Sequence, residues 1–192
     1  MNFLIAFALS LLSLCTFAQS QKEKDFATAV KKVIIAFYEK DSAAVSKLTD
    51  PSTGVYLIYR IGVEDAYKKH STISFRVLTY PNPPYYEQTH FTGVKYQSLP
   101  TYNCEKWSKQ GGFVDTSHID HLLSKTINSF DKNQKRTTPE VTKKKIKALE
   151  SKSRRIVITG NKEWGDFIFY LSYINNKWKL TIIDEATTDC SV

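Results

Sequence analysis

Residues 166–184 read DFIFYLSYINNKWKLTIID. Two runs dense in β-branched and aromatic residues, Phe167–Ile174 and Trp178–Asp184, flank Asn175-Asn176-Lys177, a combination that predicts a β-hairpin closed by a tight turn. A third such run, Ile156–Thr159, precedes them. The three together predict a C-terminal antiparallel meander, and a sheet with that much apolar side chain must be covered by something else in the chain.

The cover is legible at the other end. From Glu23 to Lys40, the apolar residues Phe26, Val30, Val33, Ile34 and Phe37 recur at three- and four-residue spacing, the pattern of a helix with one face buried. Asp41 is placed to cap a second short helix carrying Ala44, Val45 and Leu48, which Pro51 and the turn residues Ser52 to Gly54 end. Val55–Arg60 predicts a strand, Gly62 its end, and the residues around Ala66 a short helical piece. Three prolines within Tyr80-Pro-Asn-Pro-Pro-Tyr85-Tyr86 exclude a regular element there. Val94–Leu99 reads as a strand and Pro100–Gly112 as irregular. Thr116 or Ser117 is the expected cap of a helix burying Ile119, Leu122, Leu123 and Phe130. A further helix starts at Thr138-Pro139 and runs through Leu149.

The paired N-terminal helices, AFYEKDSAAVSKLTD at 36–50, and the C-terminal hairpin quoted above resemble the layout of the NTF2-like (SnoaL-like) α+β superfamily. GVYLIYRIG, LPTYNCEKWSKQGGF and the tail TDCSV also resemble small secreted bacterial proteins. The first resemblance implies N-terminal helices packed on a curved antiparallel sheet that closes round them as a cone, with a C-terminal β-meander. It implies no activity, because that fold hosts enzymes, binding modules and assembly domains alike. The proline-rich loop and the helix from Ile119 to Phe130 would be additions to a minimal cone. An α+β sandwich with helices on one face of an antiparallel sheet is the other arrangement the pattern allows.

With 192 residues, 42% of them hydrophobic, the chain suits one domain with a substantial core and excludes a disordered tail, a collagen-like repeat or a multi-span membrane protein. Phe3–Leu14 is almost wholly apolar and too short to span a bilayer, and Thr16-Phe17-Ala18 precedes an abrupt change to polar sequence. Residues 1–18 therefore read as a signal peptide and 19–192 as a single α+β domain, secreted or periplasmic. No Lys or Arg precedes the apolar run, which keeps an uncleaved anchor in play. Lipidation at Cys15 is the rival processing, and Leu14 disfavours it, since that position normally carries a small residue. Cleavage after Ala18 leaves two cysteines in an oxidising space, predicting a Cys104–Cys190 disulfide; the alternative is two buried free thiols.

The net charge is +8. Ten basic residues and two acids fall between Lys132 and Arg155, so this stretch holds the whole excess. Lys143, Lys144 and Lys147 are expected on the outer side of the 139–149 helix, with Arg154 and Arg155 beyond it. The set reads either as a solvated face or as a contact for an anionic envelope surface such as lipopolysaccharide, acidic lipid or polyanionic glycan. Nucleic acid is not expected, since no recognition motif is present. Tyr80, Tyr85, Tyr86 and Trp107 are candidates for stacking on a glycan or a small apolar ligand, against a competing role in loop packing. His118 and His121 share a helix side but make only two ligands, short of a zinc site, and no metal or other cofactor is expected. Asp166, Asp184, Glu185 and Asp189 offer carboxylates with no evident pairing. GxSxG, HExxH, P-loop and GxGxxG motifs are absent. The sequence thus reads against catalysis and towards a binding or accessory protein of the bacterial envelope. The competing classes are an enzyme with one acid or base in a cone-shaped pocket and a basic module that attaches to anionic surfaces. Oligomeric state is not encoded in any recognisable pattern.

Overall fold

A computed structural model describes residues 21–75, 93–160 and 165–190. The expected signal peptide, Cys15, Tyr80, Tyr85 and Tyr86 lie outside the described residues. Among those residues no helix is long and apolar enough to cross a membrane.

The chain is α+β. Helix α1 occupies 21–38, and all five of its periodic apolar residues are buried. Lys40 takes a positive φ and reverses the chain. Asp41 then caps α2 (Ser42–Leu48), its carboxylate accepting from the amides of Ala43 and Ala44 at 2.9 and 3.0 Å. Strands β1 (Val55–Ile61) and β2 (Glu64–His70) form an antiparallel hairpin whose two-residue turn begins with Gly62 at φ +58°. The helical piece expected around Ala66 is therefore strand. Glu, Ala and Lys favour a helix locally, but register with β1 buries Ala66 and decides the matter.

Short strands β3 (Val94–Tyr96) and β4 (Gly112–Val114) lead to α3 (Leu122–Asn133) and α4 (Glu140–Glu150). Helix α3 starts later than expected. The Asp115 carboxylate binds the amide and hydroxyl of Ser117, which holds 115–117 in a turn, and Asp120 instead accepts from the Leu122 amide. Ile119, expected in the core, is exposed, and so is Val141 on α4. The predicted meander follows as β5 (Ser153–Ile158), β6 (Phe167–Ile174) and β7 (Lys177–Asp184).

The seven strands of the described residues form one open sheet in the order β2-β1-β7-β6-β5-β4-β3. It is mixed where an antiparallel sheet was expected: β1 runs parallel to β7, and β3 parallel to β4. Helices also cover both faces. On one, α1 and α2 bury Phe26, Phe37 and Val45 against Leu57, Phe167, Phe169 and Leu180. On the other, Leu123 and Ile127 of α3 and Ile146 and Leu149 of α4 pack on Ile58, Tyr170 and Ile182. Trp107 and its loop cover Val157 and Ile168 beside them.

Several contacts hold the C-terminal tail. The sulfurs of Cys104 and Cys190 stand 2.05 Å apart, at disulfide distance, joining positions 86 residues apart. Arg60 donates to the Asp189 carbonyl. The Asp184 carboxylate accepts from the amides of Ala186 and Thr187, closing a turn. A bridge over so long a loop restricts the unfolded chain, so Cys104→Ser/Cys190→Ser should lose about 2–4 kcal/mol in urea unfolding. An unchanged midpoint would mean that the remaining tail contacts suffice.

Candidate functional site

Strand β5 carries Arg154 and Arg155 in succession, and strand geometry sends them to opposite faces of the sheet. On the α1 side, Arg154 makes two 2.7 Å bonds to Glu23 and lies against the packed rings of Phe26 and Trp178, 4.8 and 4.9 Å from their centroids. Its hydrogen bonds hold the Glu23 carboxyl below the usual range. On the α3 side, Arg155 reaches Asp120 at 3.0 Å, Asp184 at 2.7 Å and the Thr187 hydroxyl at 2.7 Å. Tyr170 donates to Asp120 at 3.0 Å, and burial raises its phenol well above the ordinary value. Burial alone would depress Arg155, but Tyr170, Asp184 and Asp120 together hold it above its usual pKa. This closed cluster ties β5, β6, the start of α3 and the tail together.

The same closure recurs at the helix ends. Glu150, buried at the end of α4, accepts from the Ser124 amide and hydroxyl in the first turn of α3. Asp131 accepts from the Thr138 amide and hydroxyl at 2.8 and 2.9 Å and from Lys143 at 3.1 Å. Those contacts outweigh its burial and lower its pKa. Of the five residues expected to form one anion-binding set, Lys143, Arg154 and Arg155 thus carry internal carboxylate partners, and the two arginines are separated by the sheet. Lys144 and Lys147 remain exposed on α4, as does Lys145.

Trp107 is 7% exposed, donates its indole N–H to Asp166, and packs against Tyr102, leaving little ring surface for a ligand. His118 and His121 are both exposed, and His121 lies 3.4 Å from Glu150. Among the described residues no group of three or more His, Cys, Asp or Glu is arranged to hold a metal ion. Of the four carboxylates noted near the C-terminus, Asp184 and Asp166 are engaged as described. Glu185 differs: burial and the neighbouring Asp184 push its carboxyl up to about 8.

The arrangement that sequence reading missed is a groove of about 260 Å³ between α1, α2 and the β6–β7 turn. Lys32 reaches it from α1, Lys47 from α2, and Lys177 and Lys179 from β7, with Asp25 as its one acid and Trp178 in its lining. Asn175 and Asn176, both at positive φ, make the tight turn that starts β7 at Lys177. The Lys179 ammonium is fixed by a 2.9 Å bond to the Lys47 carbonyl. No local signal marks these lysines, since three distant segments supply them. A second, wider opening is lined by Lys40, Asp41, Ser42, Ala43 and Ser74. Asp41 there caps α2, and the Ser42 hydroxyl accepts from the Phe75 amide. Glu185 lines neither opening. Compared with known proteins, the chain matches no family model, no curated protein and no solved structure.

Two outcomes follow for the buried charges. Arg155→Met leaves Asp184 buried without its cation and should cost about 3–5 kcal/mol in urea unfolding; a loss under 1 kcal/mol would show that the Thr187 and backbone donors satisfy Asp184 alone. For Glu185, a folded pKa above the unfolded one means that the native state prefers the protonated acid. Its favourable contribution is complete below about pH 4.3 and is lost as pH rises through about 8. Glu185→Gln should therefore gain stability over the native chain progressively from pH 5 to 9, and a pH-independent difference would contradict the shift.

Proposed function

We propose that this protein is an exported, non-catalytic binding protein of the bacterial envelope, and that its ligand is anionic. The observation that carries this reading is the contrast between its charges. Arg154 pairs with Glu23, Arg155 with Asp120 and Asp184, Glu150 with Ser124, and Asp131 with Thr138 and Lys143, whereas four lysines line a surface groove with one carboxylate among them. A cluster satisfied internally has little capacity left for substrate, while an open group of like charges attracts a counter-ion. The Cys104–Cys190 pair at bonding distance is compatible with an oxidising compartment, which supports removal of residues 1–18 on export. Two N-terminal helices against one sheet face, followed by a C-terminal meander, agree with an NTF2-like frame; that analogy supports a fold and leaves activity to the site.

An enzymatic reading has one observation in its favour. Glu185 is a carboxylic acid that stays protonated at neutral pH, as a general acid would be, but neither opening described above includes it.

The test begins with mass spectrometry of chain recovered from outside the cytoplasm, which should find Gln19 at the N-terminus and no free thiol. The oxidised protein should then bind polyphosphate and lipopolysaccharide in calorimetry, weaken as salt rises, and ignore neutral dextran. Equal affinity for dextran, or no binding to any polyanion at low salt, would defeat the proposal.

A further inference from the structure

Resting on the binding reading above, we infer that the groove between α1, α2 and the β6–β7 turn is a phosphate site, built for a phosphate ester or pyrophosphate group. The choice of cation is the first argument. Every lining cation is lysine: Lys32, Lys47, Lys177 and Lys179. Arginine presents a planar fork that matches carboxylates and phosphates in pairs, and here Arg60, Arg154 and Arg155 each face a carboxylate. Lysine acts as a compact point charge free to turn towards a tetrahedral oxyanion, and the cations round the groove are all of that kind.

Electrostatics gives the second argument. Four lysines line the groove with only Asp25 to offset them, and one oxygen of Asp25 already accepts from the Gln21 amide at 2.9 Å. No ion pair within 4.0 Å joins Lys32, Lys47, Lys177 or Lys179 to a carboxylate among the described residues. A groove lined by several like charges attracts a multiply charged anion more strongly than a singly charged one.

Size and placement complete the case. A volume of about 260 Å³ is below the roughly 300–1,000 Å³ of pockets that enclose a drug-sized molecule. It suits a charged group carried on something larger. The exposed lysines of α4, Lys144, Lys145 and Lys147, lie beyond the opposite face of the sheet, and the cleft that Lys147 shares with α3 holds only about 10 Å³.

Trp178 provides a local reporter, because it lines the groove and its indole N–H donates to the Lys22 carbonyl at 3.1 Å. Trp107, on the other side of the sheet, is an internal reference. Titrating the oxidised protein with sodium pyrophosphate should shift the Trp178 indole N–H resonance and leave that of Trp107 in place. The exposed pair Lys47→Glu/Lys177→Glu should weaken pyrophosphate about tenfold or more, Lys47→Gln/Lys177→Gln by less, and Lys144→Glu/Lys147→Glu by no more than about twofold. Lys179 is left in place because its ammonium bonds to α2, and unchanged thermal midpoints will show that the variants fold. Co-sedimentation separates the sources of the phosphate. Binding to vesicles of phosphatidic acid in phosphatidylcholine, but not to phosphatidylcholine alone, identifies a lipid headgroup. Pyrophosphate binding without vesicle binding identifies a free phosphate ester. Retained affinity in the groove variant, or a silent Trp178 while pyrophosphate binds, would overturn the phosphate site and leave the broader binding reading standing. Failure of the native chain to bind pyrophosphate, polyphosphate or any anionic vesicle would remove both.

Discussion

Strand β6 has no face that it can show to water. Phe167, Phe169 and Leu171 point to one side and Ile168 and Tyr170 to the other, and all are buried. Each such side chain is worth about 1.5–3 kcal/mol when withdrawn from water, so exposing either side would forfeit several of these contributions at once. The sheet must therefore be covered twice. Helices α1 and α2 cover one side; α3, α4 and the Trp107 loop cover the other. Chain order follows from this constraint, because the segments between β2 and β5 have to supply the second cover and so keep β1 free to pair with β7.

Double cover creates a difficulty for polar groups, since a strand buried on both sides hides whatever hydroxyls and charges it carries. Here several are satisfied in place, while the buried Arg155 Nε has no partner. Ser172 lies within hydrogen-bond distance of Ser153 and Thr181 across the neighbouring strands, at 2.6 Å each. Tyr170 and Arg155 share Asp120, which at the same time fixes the first amide of α3. One aspartate thereby links the position of a cover helix to the interior of the sheet it covers, and Asp184 extends the link to the tail.

What the sequence disclosed follows the range of the interactions involved. The meander, the stripe on α1 and the Asp41 cap depend on neighbours within a turn or a hairpin, and they stand where the pattern placed them. The Cys104–Cys190 pairing was legible for a different reason: a compartment argument left two candidates. By contrast, β2 took its strand form from register with β1 against its own helical composition. The late start of α3 depended on Asp115 reaching Ser117 and on Glu150 arriving from another helix. Parallel pairing of β1 with β7 joins residues more than a hundred positions apart, and no local pattern encodes it. Counting charge along the chain drew attention to residues 132–155, where basic residues are dense. Density in sequence became density in space only in part: alternate strand positions send Arg154 and Arg155 apart and Lys143 finds an internal partner, while Lys144, Lys145 and Lys147 stay exposed on α4.

The lysine groove illustrates the converse. Lys32, Lys47, Lys177 and Lys179 come from stretches whose charge is unremarkable, yet the packing of α1 and α2 against β7 brings them to one opening. Trp178 stands in the middle of that geometry: its ring packs on Phe26 at 4.9 Å on the α1 face of the sheet and lines the groove. Strand alternation sends its neighbours Lys177 and Lys179 off the other face. Both line the groove all the same, because β7 begins there beside the hairpin turn and long lysine stems can bend round a strand end; the Lys179 ammonium returns to the Lys47 carbonyl of α2 at 2.9 Å. Core packing sets α1 and α2 against β7, and the reach of the lysine side chains completes the groove.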